Sequence, residues 1–134
     1  MPQPVSPSAS GPAPSLLWGA RATALVHAAL LVFEFATAGQ LVAQNLTALP
    51  LHSAGAVALH AAAGAQLAVT LLLWRPGGGS PLPAVLSAAA FALGLVQAYL
   101  GSHLLLELHV PLALVLVALV TWVLVLVWRP AARS

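Results

Sequence analysis

The sequence predicts an all-α integral membrane protein, a four-helix bundle running up-down-up-down with a two-helix pseudo-repeat. Three observations predict it. Of 134 residues, 61% are hydrophobic and 4% charged, whereas a water-soluble domain carries roughly a quarter charged residues. The apolar residues fall into four runs, each able to cross a hydrocarbon core of about 30 Å at about 1.5 Å per residue. The arginines recur on one side of those runs, each beside a tryptophan or the start of a span.

Residues 1–17 read MPQPVSPSASGPAPSLL, and prolines mixed with Ser and Gly predict a disordered N-terminal tail. The membrane domain is expected over 18–130, with helices at about 22–43, 52–74, 82–102 and 109–128, and 131–134 as a cytoplasmic tail. Only helices satisfy every backbone amide internally at such lengths in lipid. Arg21 precedes the first helix, Arg75 separates the second from the third, and Arg129 and Arg133 follow the fourth. Four crossings put all of them on one side, which the excess of positive charge makes cytoplasmic, with both termini there and the chain in the cell membrane. Trp18, Trp74 and Trp128 belong to the interfacial belt on that side. Ala36-Thr37-Ala38 resembles a signal-peptidase site, but Glu34 would then interrupt the signal's apolar region.

The chain repeats itself loosely. Gln40 is followed by Leu51-His52, and Gln97 by Leu108-His109, at the same spacing. Both copies run apolar to Trp-Arg-Pro, at 74–76 and 128–130. His52 and His109 thereby become symmetry mates at the outer mouths of inward-running helices. Measured from Arg75 and Arg129, their depths differ by roughly 4–5 Å, which modest tilt absorbs.

Two imidazoles at matched depth on neighbouring helices can supply both axial ligands of a heme, the metal ligands here being His52 and His109, with His60 as substitute for His52. The small residues Gly55, Ala61, Ala62, Gly64 and Ala65 leave room for a flat macrocycle or serve helix packing. Gly101 can leave the same room on the third helix, and Gln40 and Gln97 are candidates for contacts at the cofactor's edge. Glu34 lies about 20 Å past Arg21, near mid-membrane, where an ionisable group is a functional candidate. His60 lies at similar depth, so a Glu34–His60 hydrogen bond and proton relay are expected. His27 reads as a packing residue, His103 and Glu107 as solvated loop residues, and Pro111 as a first-turn proline. The glutamines at 40, 44, 66 and 97 are expected to bridge helices.

The segment QAYLGSHLLLELHVPLALVLVALVTW (97–122), with the Leu-His opening helix 2, resembles one four-helix half of the heme A synthase family. It is also similar to small four-helix membrane proteins of actinobacteria. The resemblance covers about residues 22–128 and implies heme ligation by one histidine from the second helix and one from the fourth, the positions of His52 and His109. It departs where the family carries a glutamate shortly before the second-helix histidine; here the stretch reads NLTALPLH. The external cysteine pair of many members, the basic residue that often follows that histidine and the second half of the fold are also missing. The resemblance thus implies heme binding without hydroxylation of a heme methyl group.

Three functions follow from these residues. The first is a b-type heme-binding, cytochrome-like module, as a homodimer or part of a larger membrane complex. The second is a structural or assembly subunit with no cofactor. The third is a small proton-coupled exporter using Glu34. With no cysteine, disulfides, zinc–thiolate sites and covalent heme attachment are excluded. With four basic residues in all, no nucleic-acid partner is expected.

Overall fold

The computed structural model describes residues 12–129. Of the tail expected over 1–17, residues 1–11 lie outside that range, as do the C-terminal residues 130–134, while residues 14–17 are helical rather than part of a disordered tail. Four helices follow one another: α1 (Pro14–Val42), α2 (Leu49–Trp74), α3 (Leu82–Ser102) and α4 (Leu106–Trp128), with a single 3₁₀ turn, Leu46–Ala48, before α2. All four are long and apolar enough to cross a membrane, and the architecture is that of a multi-pass membrane protein.

The helix ends have identifiable causes. A residue before proline is pushed out of the helical region. Arg75 and Arg129 accordingly take extended conformations (φ −137°, ψ 119° and φ −62°, ψ 134°), so α2 and α4 both stop at a tryptophan. The starts lie further out than the hydropathy limits. α1 begins at Pro14 rather than near residue 22, and α2 at Leu49 rather than 52, because proline occupies the first turn of each, where its missing N–H costs nothing. α4 begins at Leu106 rather than 109, which moves Pro111 inside the helix. The carbonyl deprived of a donor there belongs to Glu107, at the exposed end of the helix.

The helices form a ring. α1 packs on α2, α2 on α3, α3 on α4 and α4 back on α1, while α1 and α3, and α2 and α4, face each other diagonally without backbone contact. The buried positions recur three and four apart. They are Ala20, Ala24, His27, Leu31, Glu34 and Thr37 on α1, and Gly55, Leu59, Ala63, Gln66, Thr70 and Leu73 on α2. On α4 they are Leu116, Val120, Val123 and Val127. This is the seam spacing of a left-handed bundle. Two apolar clusters fill the interior, one around Ala20, Ala24, Leu73, Val123 and Val127 at the arginine end, the other around Leu31, Leu59, Ala90, Leu116 and Val120 near the middle. Large aliphatics such as Val32, Val57 and Leu114 point outward, as a lipid-facing surface requires.

The ring is fastened at the arginine end. Arg21 donates through Nε to the Val127 carbonyl at 3.0 Å. Its guanidinium lies 5.0 Å from the rings of both Trp18 and Trp128, whose centroids are 6.2 Å apart, edge to face. One cation thus satisfies a C-terminal carbonyl of α4 and stacks on both aromatic faces.

Candidate functional site

At the opposite, histidine end the interior carries Glu34 and Thr37, with His52 and His109 at its mouth. His52 and His109 are each the fourth residue of their helix, on the diagonal pair α2 and α4. Extending the seam outward by three and four residues leads from Gly55 to His52 and from Leu116 to His109, so both rings turn inward. They are close enough to interact electrostatically.

Each ring is held by its Nδ1. The His109 Nδ1–H donates to the Gln97 carbonyl at 3.0 Å, and the Gln97 side-chain amide donates back to the His109 carbonyl at 2.9 Å. Gly101 makes room for this ring, since a Cβ there would stand 2.8 Å from His109 Cε1. The His52 Nδ1 lies 2.9 Å from Thr37 Oγ1 and 3.1 Å from Glu34 Oε2. Thr37 spends its own proton on the Phe33 and Glu34 carbonyls, so its oxygen accepts from His52. Both histidines therefore carry the proton on Nδ1 and leave Nε2 as a bare donor atom.

Glu34 pairs with His52, not with His60 as the sequence suggested. Distance along the helices from the arginines does not give the side of the helix on which a residue lies. His52, Gly55 and Leu59 share the stripe of α2 that faces α1. His60 instead sits against Gly94 of α3, with its Nδ1 donating to the Ala56 carbonyl at 2.6 Å and its Nε2 buried without a protein partner. Glu34 Oε1 is likewise buried and unpartnered, and a Cβ at Gly55 would collide with it and with the Phe33 ring. Gly55 and Gly64, the latter against Phe91, are thus occupied by helix contacts. Gln40 faces away from the interior, its Oε1 accepting from Asn45 in the connecting loop. Gln97 and Gln40 are therefore not equivalent, although their sequence spacing to histidine is.

A second polar group meets the expectation that Gln66 bridges helices, although its partners His27 and Ser87 were not read from the sequence as polar contacts. His27, 3% exposed, shares a 3.0 Å hydrogen bond with Gln66 Oε1, and Gln66 Nε2 donates to Ser87 Oγ at 2.9 Å. Three helices are joined by this chain. Its signal was present in the three-and-four spacing, which puts 27 in register with 34, and 66 in register with 59 and 70. His103 and Glu107 are exposed at the outer connection, with His103 stacked on Tyr99 at 4.1 Å.

Among the described residues no group of three or more His, Cys, Asp or Glu is spaced to hold a metal by protein ligands alone. The donor set at the histidine end is two imidazole nitrogens, which suits a metal whose remaining ligands come from a macrocycle. No known protein family, curated protein or solved structure matches the chain.

Proposed function

We propose that the bundle is a membrane heme-binding, cytochrome-like module in which His52 and His109 supply the two axial nitrogens. The observation that carries this reading is the shared anchoring of the two rings. Each Nδ1–H is committed to a backbone or side-chain acceptor on a neighbouring helix. That arrangement sets tautomer and ring orientation in metal-ligating histidines and raises the basicity of the free Nε2. Two such rings at equivalent positions of diagonal helices match the ligand plan of helix-bundle cytochromes.

Two further features support a b-type heme as the group held there. Gly101 supports the His109 ring, and the Gln97 Oε1, buried and without a protein partner, is available at the site's edge. The heme supplies one-electron redox chemistry when bound. The protein's part is to hold the Nε2 atoms, keep both rings neutral and place a carboxyl, Glu34, in contact with one axial histidine. His60 is the weaker ligand candidate, because its Nε2 is buried in the interior beside Gly94 of α3. By the positive-inside rule the arginine end is cytoplasmic and the histidine end external.

The exporter reading has less support. Phe33 and Phe35 are both about two-fifths exposed, and only the Phe33 ring packs beside Glu34 against Gly55, which is too little for an aromatic cage. One carboxylate oxygen is held by His52 and the other is packed against Gly55.

The test is an absorption spectrum of the purified protein supplied with heme. A Soret band with a reduced α-band is expected, and His52→Ala or His109→Ala abolishes the bis-histidine signature while His60→Ala keeps it. A protein that stays colourless is instead a structural subunit or some other cofactor-free membrane component.

A further inference from the structure

A separate polar site lies deeper in the bundle. His27, His60, Leu59, Ala63, Ala90, Gly94 and Leu116 enclose a cavity in which a water centre has about 10 Å³ to move, close to the room one water requires. Six of these seven residues belong to the seam; His60 reaches in from the α3 side. The His60 Nδ1 faces a backbone carbonyl and must donate to it, so its buried Nε2 is a bare acceptor with no partner in the protein. The His27 Nδ1 is engaged by Gln66 Oε1, an orientation fixed by the Gln66 amide donating to Ser87. Its Nε2 is the nitrogen left over. Two acceptors thus share a cavity of one-water size, and a water has two hydrogens.

We propose that this cavity is a one-water site in which the water donates one hydrogen to His27 Nε2 and one to His60 Nε2, and that the two imidazoles together store a single proton. A proton reaching His60 Nε2 passes to the water oxygen as the water releases one of its own hydrogens to His27 Nε2. The water is regenerated and one positive charge has moved between rings. The Gln66 amide oxygen is too weak a base to take the His27 Nδ1 proton, so the charge goes no further than the two rings and the device is a store rather than a channel. The titratable groups around it are few. α1 contributes Glu34, within electrostatic range of His60; α2 contributes His52, which contacts Glu34. α3 contributes Ser87 and Gly94 and no titratable group at the cavity. α4 contributes Leu116 there and His109 at the mouth. Iron binding is not required for any of this.

The experiment is ¹⁵N NMR of the full chain, histidine-labelled, in lipid bilayers and without added heme. Expected are Nδ1–H tautomers at both His27 and His60, and magnetisation transfer from water to both rings. On acidification, one proton enters the pair and both Nε2 signals move together. Gly94→Ala places a methyl 3.5 Å from His60 Nε2, an ordinary contact. It should remove the water transfer at both rings and leave the His52 and His109 signals unchanged. An Nε2–H tautomer at either residue, no water transfer in the unaltered protein, or two rings that titrate independently would each overturn the proposal.

Discussion

Gly101 shows how much a missing side chain can matter. The His109 ring occupies the space where a Cβ would stand, 2.8 Å from Cε1 and 3.1 Å from Nδ1, the nitrogen that donates to the Gln97 carbonyl. Gly101→Ala therefore turns the imidazole and breaks that bond. We expect loss of about 1–3 kcal/mol, the usual range for overpacking a close contact, read as a lower thermal midpoint in detergent. Bound heme should weaken in parallel. Gly94→Ala, where a Cβ would meet His60 rather than His109 and only at ordinary contact distances, should leave the His109 ring and heme affinity unchanged. At this scale the sequence was informative about identity and not about direction. His52 and His109 were legible because they repeat before matched Trp-Arg-Pro ends. The partner of Glu34 was not, because His52 and His60 are both within reach of its depth and only the rotation of α2 separates them.

The Gln66 side chain links elements rather than residues. It bonds His27 of α1 on one side and Ser87 of α3 on the other, from its place on α2 at 0% exposure. Gln66→Leu keeps the volume and removes both bonds, leaving the His27 Nδ1–H without an acceptor in an apolar interior. A cost of about 1–2 kcal/mol is expected from stranding such a donor, toward the upper end of what interhelical hydrogen bonds contribute in membranes. Gln66→Glu, which keeps an acceptor for His27, should recover part of it. Chemical denaturation of the two variants in mixed micelles distinguishes them. The ends of the elements were legible to different degrees. The stops of α2 and α4 follow from proline after arginine and were placed correctly at 74 and 128. The starts at 14, 49 and 106 were set too far inward, because the outer turns carry proline and a mixture of polar and apolar residues that hydropathy does not count as helix. Of the interior hydrogen-bonded chain, Gln66 was expected to bridge helices and does, while His27 was read as a packing residue and Ser87 was not read: apolar runs were read for length, and the three-and-four register that carries these residues inward was not followed through them.

The molecule as a whole closes on itself through one cation. Arg21 meets the last turn of α4 and lies against two tryptophans from opposite ends of the sequence. Arg21→Ala is expected to loosen the α1–α4 seam by about 1–2 kcal/mol, summing a charged hydrogen bond and cation–π contacts. Arg21→Lys should restore little, since an ammonium cannot donate to the carbonyl and stack on two rings together. Tryptophan fluorescence reports this directly, because Trp18 and Trp128 separate when the clamp goes. The histidine end, built on α2 and α3 as much as on α1 and α4, should keep its spectrum in both variants. Because Trp18 and Trp128 nearly touch, the outer ends of α1 and α4 arrive at one address. A short linker could splice them there, and the glycines at 77–79 offer a place to reopen the chain, so the order in which the four rods are synthesised is separable from the circle they form.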